Sequence, residues 1–178
     1  MFRRRASSEP ITPGSWQDHP VNATRQSVSD GGYQLDVYEG VCSSSFELAL
    51  ERLFRYDIFP PHRMRARVCS PDGDVAVGTT IVQRVFLGPL ALETAVRVIE
   101  CSRGVLAGSF AYATTEGHPE QGIASFEVQR LDAQTRFVAR AWSRPGNIAA
   151  RLGRPVSRRL QQTFTREAVA HFCAPQQT

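Results

Sequence analysis

The sequence predicts an α+β domain: one antiparallel sheet of about seven strands wrapped around a long C-terminal helix. Three observations predict it. Six alternating segments run between residues 64 and 143, joined by connections of hairpin length, which favour antiparallel neighbours. One further strand pattern and one short helical pattern precede them. Ile148, Leu152, Val156, Leu160, Phe164, Ala168 and Phe172 then recur every four residues, a slanted apolar stripe on a helix. A sheet of this size must cover one face, and only the two helical segments are able to do so.

Taken in order, residues 1–30 are rich in Ser, Pro, Arg, Asp and Asn and show no hydrophobic period. They read as a flexible or loosely docked N-terminal arm, with Trp16 able to pin part of it. Residues 31–174 read as a single ligand-binding domain. Tyr33, Leu35 and Val37 alternate with Gln34, Asp36 and Tyr38, a strand to Val41. Ser44 and Glu47 have capping-box spacing, and Phe46, Leu50, Leu53 and Phe54 follow at helical spacing to about Tyr56. Pro60-Pro61 stops that helix.

Strands are then expected over 64–69, 75–87, 90–101, 105–114, 123–131 and 135–143, separated by turn residues such as Pro71-Asp72-Gly73-Asp74. In the third of these, Leu92, Thr94, Val96 and Val98 share one face and Glu93, Ala95, Arg97 and Ile99 the other. Pro155 marks the start of the terminal helix, with a short helical turn before it. A twisted sheet around one long helix is the helix-grip, or START-like, arrangement. It commonly leaves a concave, mostly apolar cavity between sheet and helix.

Composition excludes several classes. The net charge of +4 comes from Arg alone, because the chain has no Lys. That excludes a P-loop lysine and a Schiff-base lysine. Arg3, Arg4 and Arg5 hold three of the positive charges, and the basic C-terminal helix reads as a solvated face, so no nucleic-acid partner is expected. No apolar run approaches the ~18 residues a membrane span needs. The chain therefore reads as soluble and cytoplasmic, with no membrane partner. Cys42, Cys69, Cys101 and Cys173 are widely spaced and read as reduced thiols. His19, His62, His118 and His171 form no ligand spacing, and no nucleophile-elbow or dinucleotide motif is present. No metal and no cofactor are expected.

The candidate catalytic residues are His118, Glu120 and Asp57. His118 exchanges a proton near neutrality, and a nearby carboxylate can raise its pKa or act as the acid when buried. The alternative is that His118-Pro119 shapes a turn and Glu120 is solvated. Asp57 and His62 flank the Phe59-Pro60-Pro61 bend and line a cavity mouth or simply end the helix. Tyr112 shares a face with Phe110 and Thr114, either as core or as a phenol facing the ligand. Glu93 and Arg97 lie on one strand face, in the cavity or on the outer surface. Arg144, with Trp142 on the same strand, is a candidate anchor for a ligand oxygen.

Several of these residues carry a resemblance. Leu53-Phe54-Arg55-Tyr56-Asp57-Ile58-Phe59-Pro60-Pro61 is the first piece. Phe110-Ala111-Tyr112-Ala113-Thr114 follows, with Gly117-His118-Pro119-Glu120-Gln121-Gly122. Phe126-Glu127-Val128, Ser143-Arg144-Pro145 and Gln161 complete the set. Together, over residues 33 to 172, they resemble the family numbered 1990 among domains of unknown function. The resemblance implies no settled activity. After the loop glycine that family usually carries two acidic residues, and here Ile123 and Ala124 stand instead, as if for a more hydrophobic ligand.

The expected function is a cofactor-independent cyclase or dehydratase-like enzyme of specialised metabolism acting on a small apolar oxygenated ligand, for example in polyketide ring or spiroketal closure. Much of such a rate comes from holding the chain in a reactive conformer. The rival is a non-catalytic lipid or metabolite carrier, and a third reading is an interaction module. Two or three ionisable side chains meeting inside the cavity would separate the enzyme from the carrier.

Overall fold

The computed structural model describes residues 2–4, 16, 18–145 and 154–175. In chain order the elements are β1 (Phe2–Arg4), α1 (Arg25–Ser29), β2 (Gln34–Cys42) and α2 (Phe46–Phe54). Strands β3 (Met64–Val68), β4 (Thr80–Leu87), β5 (Leu90–Arg103), β6 (Ala107–Thr114), β7 (Glu120–Leu131) and β8 (Gln134–Pro145) follow, then helix α3 (Arg154–Cys173). The sheet order is β2-β8-β7-β6-β5-β4-β3, and every pairing is antiparallel. This is the helix-grip, START-like arrangement. The short helical turn expected near Ile148 and Leu152 lies outside the described residues.

The sheet has two faces with different company. On the inner face Phe126, Val128, Phe110, Val98, Val96, Ile81 and Phe137 join α2 and α3 in one apolar core. Phe172 of α3 stacks on Phe137 of β8 with ring centroids 4.2 Å apart, and Phe137 stacks on Phe126 at 6.2 Å. Each buried ring is worth roughly 1.5–3 kcal/mol of transfer free energy. Two glycines let the helices approach. A Cβ at Gly108 would sit 2.2 Å from Leu50 Cδ1 of α2, and one at Gly40 would sit 2.9 Å from Val169 Cγ1 of α3.

The outer face is covered by the N-terminal segment. Val21 bridges Thr115, and Ala23, Val21 and Val28 pack on Ala111, Ala113, Ile123 and Trp142. Thr24 caps α1. The part of the arm from residue 18 to 30 is therefore docked, because its few apolar side chains fit the outer face of β6 and β7. The backbone of Phe2–Arg4 also pairs with β5, at Leu90–Leu92.

Three local readings are corrected. The strand expected from Val75 begins only at Thr80: the Val75 amide donates to the Phe54 carbonyl, and Gly78 takes a positive φ of 85°. The α2 cap is Ser45, whose hydroxyl accepts from the Leu48 amide, and not Ser44. Cys42 and Cys173 form a disulfide across 131 residues, joining the end of β2 to the end of α3. Reduced thiols were expected because that spacing carries no motif. Cys69 and Cys101 are free.

Candidate functional site

Strand alternation places a small set of polar groups on the inner face. Glu120 begins β7 on the face that carries Ala124 and Phe126. Asp36 of β2 stands near it, and Tyr112 of β6 pairs with Ala124. The ring of Tyr112 lies 5.7 Å from Phe126 and 6.3 Å from Tyr56. Tyr112, Ala124 and Glu120 keep part of their surface accessible, whereas Phe110 and Phe126 are buried. The result is an aromatic wall with two carboxylates at one end.

The electrostatics follow from burial and from a like charge nearby. Burial pushes Glu120 up to about 7, and the neighbouring Asp36 pushes in the same direction. Glu120 therefore changes protonation near neutral pH. His118 behaves in the opposite sense to the one expected. Burial lowers it to about 4, so its ring is neutral. Its Nδ1 lies 3.0 Å from the Glu120 amide nitrogen and 2.9 Å from the Glu120 carbonyl oxygen. Whichever tautomer is present, the ring closes its own turn and holds the backbone of Glu120. Through these contacts His118 fixes the backbone at Glu120.

The other candidates are dispersed. Asp57 turns outward at the junction of α2 and α3. Its Oδ2 accepts from Arg52 Nε at 2.8 Å, and its Oδ1 is 3.9 Å from His171 Nε2. His62 is exposed, 3.9 Å from Glu167. Glu93 lies on the outer face, paired with Arg84 across β4 and β5 at 3.0 Å rather than with Arg97. Arg97 and Arg144 share the outer face. Arg144 Nε donates to Gln121 Oε1 at 3.0 Å, and its guanidinium lies 4.5 Å from the Tyr33 ring. Trp142 lines an outer cleft of about 270 Å³ together with Arg25, Glu100, Glu127 and Arg140.

Sequence reasoning missed Tyr56, Gln83, Thr94 and Asp36. Gln83 Nε2 donates to the Tyr56 hydroxyl at 2.6 Å, and Thr94 Oγ1 lies 3.5 Å from Gln83 Oε1. The signal for Gln83 and Thr94 was available: both are polar residues on the apolar face of central strands. Asp36 was visible only as one face of an edge strand. Among the described residues no cluster of His, Cys, Asp and Glu is arranged to hold a metal, and no helix is long and apolar enough to cross a membrane.

A sheet gripping a C-terminal helix, with polar groups gathered on the gripped face, defines a helix-grip protein. Within that class, residues 17–171 match the family described as a domain of unknown function (DUF1990), and the chain belongs to it. No curated protein matches the sequence. Among solved structures, a hypothetical protein from Helicobacter pylori superposes with a TM-score of 0.64 at 9% identity, over 79% of this chain and 86% of that one. Major latex-like protein 151 from Panax ginseng gives 0.55 at 11% identity, over 81% and 100%. A protein from Chromobacterium violaceum gives 0.53 at 14%, over 80% and 99%. At these identities the likeness concerns the fold alone.

Proposed function

We propose that the protein is a cofactor-independent catalyst of proton transfer on a small apolar, oxygenated molecule bound against the inner face, of the cyclase or dehydratase type expected above. The observation that carries this reading is the meeting of Glu120, Asp36 and Tyr112 on an otherwise apolar wall. A carrier needs only the apolar wall. An acid that titrates near neutrality is suited to give and take a proton in one cycle. In a hemiketal closure the ligand's hydroxyl oxygen bonds to its carbonyl carbon as the C=O π bond opens onto the carbonyl oxygen. The carbonyl oxygen takes a proton from neutral Glu120, and the attacking hydroxyl returns one to the Glu120 carboxylate. Tyr112 orients the carbonyl, and the aromatic wall folds the chain towards closure.

The test compares the small-molecule products of the producing cell with the gene intact, deleted, and restored as Glu120→Gln. The expected result is an open-chain or hydrated precursor that accumulates in the deletion and in the Glu120→Gln strain. A product profile unchanged by Glu120→Gln, with the deletion lowering only total yield, would favour the carrier.

A further inference from the structure

The N-terminal segment does more than cover the outer face. The β6–β7 ladder ends at Ala113 and Ile123, and the next rung is made by a side chain. The Gly122 amide donates to the Thr114 hydroxyl at 2.9 Å, while the Thr114 carbonyl accepts from the Asn22 amide at 2.9 Å. Gly122 lies only two positions after Glu120, so this rung sets how the acid enters β7.

Asn22 meets the junction with all four of its polar groups. Besides its amide, its Nδ2 donates to the Thr115 carbonyl at 2.9 Å, and its Oδ1 accepts from the Thr114 hydroxyl. Its carbonyl accepts from Gln121 Nε2. These bonds have a direction. The Thr115 carbonyl can only accept, so it fixes which end of the Asn22 side chain is nitrogen, and the other end must accept. The Thr114 hydroxyl therefore gives its one proton to Asn22 and offers a lone pair to the Gly122 amide. Gln121 is oriented likewise, because Arg144 Nε holds its Oε1 at 3.0 Å and turns its Nε2 to Asn22. The far arm of the turn is tied by the Glu116 amide, which donates to the Pro20 carbonyl at 2.9 Å.

We propose that Asn22 is a positioning residue of the inner-face site: through Thr114 and Gln121 it fixes the start of β7 and so holds the Glu120 carboxyl against the apolar wall. The positional half stands on these hydrogen bonds. The catalytic half, that this position sets the rate, rests on the reading given under Proposed function. Asn22 belongs to the segment on the outer face, so it acts through Glu120 and not on the ligand. Only an amide side chain serves, because Asn22→Asp sets an acceptor against the Thr115 carbonyl and Asn22→Ala leaves the Thr114 hydroxyl without its acceptor.

The test uses the full-length protein labelled with ¹³Cδ-glutamate, in which the Glu120 signal is the one lost in Glu120→Gln. Urea unfolding establishes which variants are folded. The wild-type Glu120 midpoint should be about 7. In Asn22→Ala and Thr114→Val the carboxyl gains water, and the midpoint should fall by about one unit or more towards the ordinary 4.5. Thr114→Ser keeps the hydroxyl and should leave it where wild type has it. Asp36 of β2 and Tyr112 of β6 are the other titratable groups near Glu120, and none of these variants changes them. A merely structural strap would lower the urea midpoint and leave Glu120 near 7. That result overturns the proposal, as does a wild-type midpoint near 4.5. If Thr114→Val does not fold, Asn22→Ala, at a half-buried position, decides alone. On the precursor from the deletion strain, Asn22→Ala should lower kcat about 10- to 100-fold with KM little changed. A lowered Glu120 midpoint with kcat unchanged overturns the catalytic half. No turnover by wild type overturns the proposed function and the catalytic half with it, while the Glu120 midpoint still decides the positional half.

Discussion

The two faces of the sheet treat the same side chain in opposite ways. On the outer face, Glu100 is held bidentately by Arg25 at 2.5 and 2.7 Å, and Glu127 accepts from Arg140 at 2.9 Å. Both carboxyls sit below the usual carboxylate range, Glu100 through its Arg25 hydrogen bond and Glu127 through Gln129 and Arg140 against an opposing burial effect. On the inner face Glu120 has a second carboxylate for a neighbour and rises to about 7. Outer-face charges are matched and serve as mortar. Among the described residues Glu120 has no opposite charge at hydrogen-bond distance, and a strongly shifted carboxyl of this kind supports the proposed function.

The largest break of that comparison is in activity. Glu120→Gln removes the inner-face carboxyl that burial pushes up to about 7 and should lower the rate of ring closure by roughly 10²- to 10⁴-fold. Rates on the accumulated precursor check this. Glu127→Gln, the same change on the outer face, should leave the rate within about twofold, because its partner Arg140 is not on the inner face.

Next in size is packing. Phe137 is fully buried between Phe126 and Phe172 and holds α3 to the sheet. Phe137→Ala should cost about 3–5 kcal/mol, read as a lower urea midpoint with little change in slope.

A third effect comes from pH. Glu120 has a raised folded pKa, so its folded form keeps a proton that the unfolded chain loses, and stability falls between the ordinary 4.5 and about 7. His118 has a lowered folded pKa, so stability rises as pH climbs from about 4 to 6.5. Each effect amounts to about 3 kcal/mol, and over most of this window they oppose each other. Wild type should therefore show a nearly flat stability between pH 4.5 and 6.5. Glu120→Gln should unmask the histidine and give a stability that rises across the window. Thermal melts at half-unit steps decide it, and a falling curve in Glu120→Gln would contradict the assignment.

Much of this was legible in the sequence. The two faces of β5 follow from Leu92, Thr94, Val96 and Val98 against Glu93, Ala95, Arg97 and Ile99, because period two is all that alternation needs. The loop with His118 and Glu120 was legible as composition, but its protonation was not, because burial and the Asp36 neighbour come from different strands. Tyr56 read as the end of a helix. Nothing in a tyrosine announces a positive φ, and its partners Gln83 and Tyr112 lie 27 and 56 positions away. Ile99 and Glu100 illustrate a third kind of miss. A register shift between Val98 and Glu100 turns Glu100 outward to Arg25 and Cys101 inward.

The smallest expected effect sharpens the contrast from the other side. Arg136 and Glu39 pair across β8 and β2 on the outer face, with side chains 37% and 54% exposed. Water already solvates both, so their attraction is screened and fixing two long side chains costs entropy. Arg136→Gln should change stability by less than about 1 kcal/mol, and 0.5 M salt should erase even that. A double-mutant cycle with Glu39→Gln measures the coupling directly. A coupling above about 2 kcal/mol would mean that the outer pairs are not solvated mortar, and the contrast with Glu120 would then rest on desolvation alone.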